Sequence, residues 1–381
     1  MTEHPGPGQG QSPTSASSGR PPVARFALIG IVVAGAAGAF AYAGGWIGPA
    51  RFGPKTIVNA LETNAGGRHP GWRRAHAKGV CVTGWFDGDG SGQALSSAEV
   101  FGKVRTPVVG RFALAGGDPF AGDGRVVFHS MALSFNLPDG QVWRQAMDHT
   151  PIFPVSDPQT FVKLQLASTP APKTGKPDPA KMKALLADHP EIAAYMKFMK
   201  AWPLPDSFAA GPYFSINAFR FIDGQGHVRL VRWSMVPEQI GGVIDKDKLK
   251  QVPPDLLFDD LRTRLARGPL HWRMVVTVAS PNDPVNDATR QWAANDRQID
   301  VGTLTIQATQ PEDVGHCRDI TYDPTVLPKG IAISDDPLLP ARSAAYAVSF
   351  ARRAVEGPRP SAQASAPPSV PSLEAVSGAA Q

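Results

Sequence analysis

Apolar and polar positions alternate along two blocks of short segments. The first block holds the runs 79–85, 107–114, 126–135 and 141–147, and the second holds 213–221, 227–235, 270–279 and 301–307. A period of two over such lengths predicts β-strands with one buried face. Pro138-Asp139-Gly140 makes a turn between the last two runs of the first block, and Asp223-Gly224-Gln225-Gly226 a hairpin between the first two of the second. Between the blocks the spacing becomes helical. Asp178-Pro179 supplies an N-cap with proline at the first helical position, and Asp188-His189-Pro190 repeats the signal ahead of 191–200. Eight hairpin-linked strands predict an α+β fold, with a closed eight-stranded antiparallel β-barrel that helices interrupt halfway and follow at the end.

The ends carry a different pattern. Residues 1–22 are mainly Gly, Pro, Ser and Gln and are predicted to be disordered. An uncharged run over 26–47, within a segment 23–50, is flanked by Arg25 and by Arg51 and Lys55. At about 22 residues it is long enough to cross a bilayer, which predicts a membrane anchor with the domain outside the cytoplasm. Ala41-Tyr42-Ala43 also suits a signal peptidase. The folded part is expected over 54–355, followed by a Pro-, Ala- and Ser-rich tail at 356–381.

Composition narrows the chemistry. The chain has 381 residues, 42% hydrophobic and 19% charged, enough for one large domain with tails. A net charge of +5 with interspersed signs, and no basic stripe, argues against a nucleic-acid partner. Two cysteines, Cys81 and Cys317, are too few for an iron–sulfur cluster or a thiolate zinc site made by this chain alone. They lie on the first strand and just past the eighth, so a disulfide where the barrel closes is open to them. The nine histidines show no His-x-x-x-His spacing, against a mononuclear zinc hydrolase. Asp87-Gly88-Asp89-Gly90-Ser91-Gly92 starts like a calcium loop, but Ala98 stands where the bidentate glutamate belongs. Glu99 fits better as the far half of a capping box begun by Ser96.

Near the carboxy end, Arg342 and Tyr346 are one helical turn apart, and Arg353 falls two turns further on roughly the same face. A neighbouring guanidinium favours a phenolate, which is a hard anionic ligand for ferric iron. Taken alone, the pair reads first as a surface ion pair or a buried tyrosine, since Arg-x-x-x-Tyr arises often by chance.

Other segments add to it. Arg73-Arg74-Ala75-His76-Ala77-Lys78-Gly79 resembles the distal-histidine motif of haem catalases, with His76 at the catalytic position. Thr150-Pro151-Ile152-Phe153 and Asp157-Pro158-Gln159-Thr160-Phe161 resemble that family's haem-facing segment, and Arg342 and Tyr346 match its proximal helix. The similarity runs from about Arg73 to Arg353 in the family's order. The chain is shorter than full catalases and most closely resembles the catalase-related peroxidases. The resemblance implies haem b between His76 and an axial Tyr346, on a C-terminal haem-ligand helix. It implies Phe161 stacked on the porphyrin, Arg342 beside the tyrosine, and Arg73, Arg111 and Arg353 at the propionates.

Three departures stand out. Asp148 replaces the distal asparagine of catalases, and Ala113 follows Arg111-Phe112 where they place a serine that supports the histidine. Their arginine-rich stretch after the second strand is reduced to Arg125-Val126-Val127-Phe128-His129. An imidazole with a pKa near 6.5 can move a proton between the two peroxide oxygens, the role expected of His76. Asp148, the second candidate catalytic group, either donates a proton or raises the pKa of His76. Either state of Asp148 changes the site, which disfavours disproportionation and favours reduction of hydrogen peroxide or organic hydroperoxides by a small-molecule electron donor. A haem-binding sensor without turnover, tethered to a membrane, and a fatty-hydroperoxide isomerase or lyase are the alternatives on the same pocket.

Overall fold

The computed structural model describes residues 23–43 and 52–357, and these divide into two units, one up to Phe52 and one from Gly53 onward. In the first unit, helix α1 is Val23–Ala43. No helix among the described residues is long and apolar enough to cross a membrane. The segment 26–47 expected as an anchor extends beyond the described residues, which in this helix end at Ala43. The tail at 1–22 and most of the one at 356–381 lie outside the described residues.

The second unit is built on strands β1 (Gly79–Gly88), β2 (Arg105–Leu114), β3 (His129–Asn136), β4 (Val142–Asp148), β5 (Tyr213–Phe214), β6 (Phe219–Ile222), β7 (Val228–Pro237), β8 (Leu270–Val278), β9 (Arg297–Gln310) and β10 (Ile331–Ile333). The sheet order is β10-β6-β7-β5-β4-β3-β2-β1-β9-β8, and β7 also pairs with β8. That last pairing closes an eight-stranded antiparallel barrel and leaves β6 and β10 outside the ring, as the alternating pattern predicts. Inward positions are aromatic and aliphatic: Phe112, Met131, Phe135, Trp143, Met147, Tyr213, Trp233 and Trp272 are buried in one cluster. Burial of such rings is the main stabilising term of the barrel.

One predicted strand is two. The run 213–221 breaks between β5 and β6 because Ile216 takes a left-handed backbone, with φ of 63°. The break takes Ile216 and Asn217 out of the ladder, and both line the cavity described below.

Helices interrupt the strands and follow them. Helices α3 (Pro158–Ala167), α4 (Pro179–Asp188) and α5 (Pro190–Ala201) form the insertion, and α7 (Leu338–Val355) closes the chain. Two helices carried no prediction, α2 (Pro54–Asn64) and α6 (Leu256–Leu265). Asp178 caps α4 as expected, accepting from the Ala180 N–H at 2.8 Å. His189, not Asp188, stands at the cap of α5 and makes no side-chain cap bond. Ser96 and Glu99 form no capping box: Ser96 Oγ donates to the Gly330 carbonyl, and Glu99 accepts from the Asp139 N–H.

Apolar side chains of α2 and α3, Ile57, Ala60 and Val162, pack with Phe161, Ala341 and Ala345. Glu356, at the foot of α7, pairs with the buried Arg74 and accepts from the Gly71 N–H at 3.0 Å. The ordered fold therefore continues at least one residue past the expected boundary at 355.

Candidate functional site

On the outer face of β2, β3 and β4, register places Ala113 opposite Ser130 and Ser130 opposite Asp148. Two residues along, Arg111 faces Ala132 and Ala132 faces Ala146. Alternation sends these side chains to the side opposite the barrel core. Small residues at 113, 132 and 146 leave room above the sheet. Helices α2, α3 and α7 roof that space into a cavity of about 200 Å³.

All eight sequence-predicted site residues line this one cavity: Arg73, His76, Arg111, Asp148, Phe161, Arg342, Tyr346 and Arg353. They come from the segment before β1, from β2 and β4, and from α3 and α7. The rest of the wall is largely apolar, with Ile57, Val58 and Leu61 from α2 and Ala341 and Ala345 from α7.

His76 sits just before β1 with a left-handed backbone, φ 53°. It and Ile216 are the non-glycine residues with positive φ among the described ones, and both line the cavity; such strain is held in place only by surrounding structure. His76 Nδ1 is 2.9 Å from Ser130 Oγ. Burial, followed by the charges of Arg111, Arg342 and Arg73, lowers the imidazole to about 3, so His76 is neutral at ordinary pH. Burial pushes the Asp148 carboxyl up to about 7 against the pull of Arg342.

Arg342 is hydrogen-bonded to Tyr346. Its Nη1 also donates to Asn217 Oδ1 at 2.5 Å, and its Nη2 to the Ala146 carbonyl at 3.2 Å. Asn217 Nδ2 in turn donates to Asp336 Oδ2 at 2.8 Å. A line of polar contacts thus runs from the phenol through guanidinium and amide to a buried carboxylate. Burial opposes the charge on Arg342, and Tyr346, Asp148 and Asp336 outweigh it, so the guanidinium is held above its usual range.

Phe161 follows an N-cap in which Asp157 accepts from the Thr160 N–H at 2.9 Å. Its ring stacks on Phe153 at 6.0 Å. The Arg353 guanidinium lies 5.5 Å from the Phe350 ring centre. Arg73 and Arg111 share one carboxylate: Glu312 lies 3.0 Å from Arg73 Nε and 2.7 Å from Arg111 Nη2.

Cys81 and Cys317 form a disulfide with Cα atoms 5.4 Å apart. In the loop at 87–92, Asp87 pairs with Arg105 and Asp89 accepts from the Ser91 N–H; no cluster of metal-ligating side chains occurs among the described residues.

Sequence reasoning missed Ser130, Asn217, Glu312 and Asp336. Polar residues in the barrel strands and in the turns beside them were the available signal. Nothing in their spacing indicated which of them meet.

An imidazole, a phenol hydrogen-bonded to a guanidinium, and cationic and aromatic side chains thus line one largely apolar cavity. Residues 53–358 match the family model described as Catalase, and the chain belongs to the catalase family. It is 36% identical over 300 residues to a catalase-related peroxidase of Synechococcus elongatus, covering 79% of this chain and 88% of that one. It is 30% identical over 301 residues to a catalase-related peroxidase of Mycolicibacterium paratuberculosis, covering 79% and 94%. In structure it resembles a fungal catalase with a TM-score of 0.67 at 19% identity, covering 81% of this chain and 64% of the other. A bacterial catalase gives 0.66 at 22%, covering 80% and 62%, so the chain spans under two thirds of both solved catalases.

Proposed function

We propose that this chain is a haem peroxidase that reduces hydrogen peroxide or organic hydroperoxides with electrons from an external small-molecule donor, and that it has weak catalase activity at most. The observation that carries this reading is the convergence of His76, Asp148, Arg342 and Tyr346 on one cavity. Two of the relatives it is similar to are named catalase-related peroxidases.

The residues present suit haem b. Tyr346, hydrogen-bonded to Arg342, would hold the iron, and Phe161 would pack against the group. Arg73, Arg111 and Arg353 suit its two carboxylates. When bound, haem would supply the redox chemistry toward peroxides.

The chain's own groups handle protons. Neutral His76 takes the proton from one peroxide oxygen and returns it to the other, making the leaving oxygen water or an alcohol. Asp148, near half-protonated at pH 7, shares that proton traffic and stands where a neutral amide would orient a second peroxide. Apolar Ile57, Val58 and Leu61 favour access by an organic hydroperoxide over a strongly hydrated one.

Steady-state assays with and without a reducing donor test the proposal. Donor-dependent peroxide consumption is expected, and fast donor-free oxygen evolution would count against it. An absorption spectrum whose ligand titration excludes histidine and thiolate ligation is expected for Tyr346. We also propose an extracytoplasmic location. The Cys81–Cys317 disulfide supports it, since such bonds persist in oxidising compartments; fractionation of cells that produce the full chain tests it.

A further inference from the structure

We infer that Glu312 is a positioning residue for the anion-binding edge of the cavity, holding Arg73 and Arg111 where a ligand's carboxylates are met. The inference rests on the haem reading above and adds a residue to it.

Glu312 lies just past β9, far in sequence from both partners, and its side chain is 1% exposed. One carboxylate oxygen takes Arg73 Nε at 3.0 Å and the other takes Arg111 Nη2 at 2.7 Å. A buried carboxylate is tolerated only when paired this way. Each arginine is fixed again by main chain. Arg73 Nη2 donates to the carbonyls of Cys317 and Arg318 at 2.9 and 3.1 Å, and Arg111 Nη2 donates to Ala77 at 3.1 Å. Arg73 has thus spent Nε and Nη2, and Nη1 is the end it has to offer a ligand.

The surroundings are shaped for this arrangement. At Gly79 an added Cβ would lie 2.3 Å from the Arg111 Cζ, so the glycine lets the guanidinium lie against β1. The segment that carries Glu312 is stapled to β1 by the disulfide. Gly315 backs directly on Cys81, where a Cβ would come within 2.6 Å of the sulfur.

The test is titration of apo-protein with haem and with haem dimethyl ester, which lacks the carboxylates, in wild type, Glu312→Gln and Glu312→Asp. Glu312→Gln is expected to weaken haem roughly tenfold while leaving the diester unchanged, and Glu312→Asp to fall between. Should Glu312→Gln not fold, Glu312→Asp keeps the charge with a shorter reach and must show the selective loss by itself. Equal weakening of both ligands would reduce Glu312 to a structural ion pair and overturn the inference. So would unaltered haem affinity in a wild type that binds haem. A wild type that takes up neither ligand overturns the haem reading, and this inference with it.

Discussion

Ser130 Oγ sits 2.9 Å from His76 Nδ1 and 3.2 Å from the Ala113 carbonyl oxygen. Nδ1–H donating to this hydroxyl, with the hydroxyl proton turned to the carbonyl, is the arrangement that leaves a lone pair on Nε2, the form a general base needs. The sequence suggested that this support was missing, because Ala113 follows Arg111-Phe112. Register supplies it from the adjacent strand, at the residue directly opposite.

Replacing Ser130 with alanine should lower donor oxidation by roughly tenfold, a fraction of what a general base contributes. Haem uptake should be unchanged, and Ser130→Thr should recover part of the rate. Steady-state kinetics beside a haem titration check both, and a variant as fast as wild type would remove Ser130 from the proton path.

His76→Ala should cost on the order of 10²–10⁴ in peroxide turnover while haem stays bound. Tyr346→Phe should act differently and change the ferric spectrum, because it removes the proposed iron ligand. Comparing the two spectra and rates separates the proton-moving role proposed for His76 from the metal-holding role proposed for Tyr346.

Asp148→Asn should remove a pH dependence. The Asp148 carboxyl titrates at about 7 in the folded chain and at roughly 3.9 when unfolded. A raised native value means that the folded state holds the proton more tightly, so this group's stabilising contribution falls as pH rises from about 4 to about 7. His76, lowered to about 3, has the opposite sign over an overlapping window. The difference in Tm between wild type and Asp148→Asn against pH isolates the aspartate, and a difference independent of pH would contradict the raised value. The same variant should gain donor-free oxygen evolution, measured with an oxygen electrode.

Reduction of the Cys81–Cys317 bond should destabilise the domain by about 2–5 kcal/mol. The bond joins residues 236 positions apart and therefore restricts much of the unfolded chain. Urea melts with and without reductant, paired with a Cys81→Ser/Cys317→Ser double variant, measure it. The buried pair also packs with Tyr322, which lines the cavity, so haem affinity should fall along with stability.

The alternation of apolar residues determined the barrel, because a half-buried strand must show period two whatever its partners are. Short contiguous motifs likewise gave His76, Phe161, Arg342 and Tyr346, whose neighbours carry the resemblance. Strand register was not available from local pattern, and register alone puts Ser130 between Ala113 and Asp148. The break at Ile216 was also hidden, since its left-handed backbone violates what a β-branched residue prefers and is imposed by contacts remote in sequence. Glu312 looked like one surface carboxylate among many until folding carried it between two arginines more than 200 positions earlier. Local propensity and periodicity are properties of the chain, whereas which polar groups share a buried space depends on long-range packing that only the closed barrel creates.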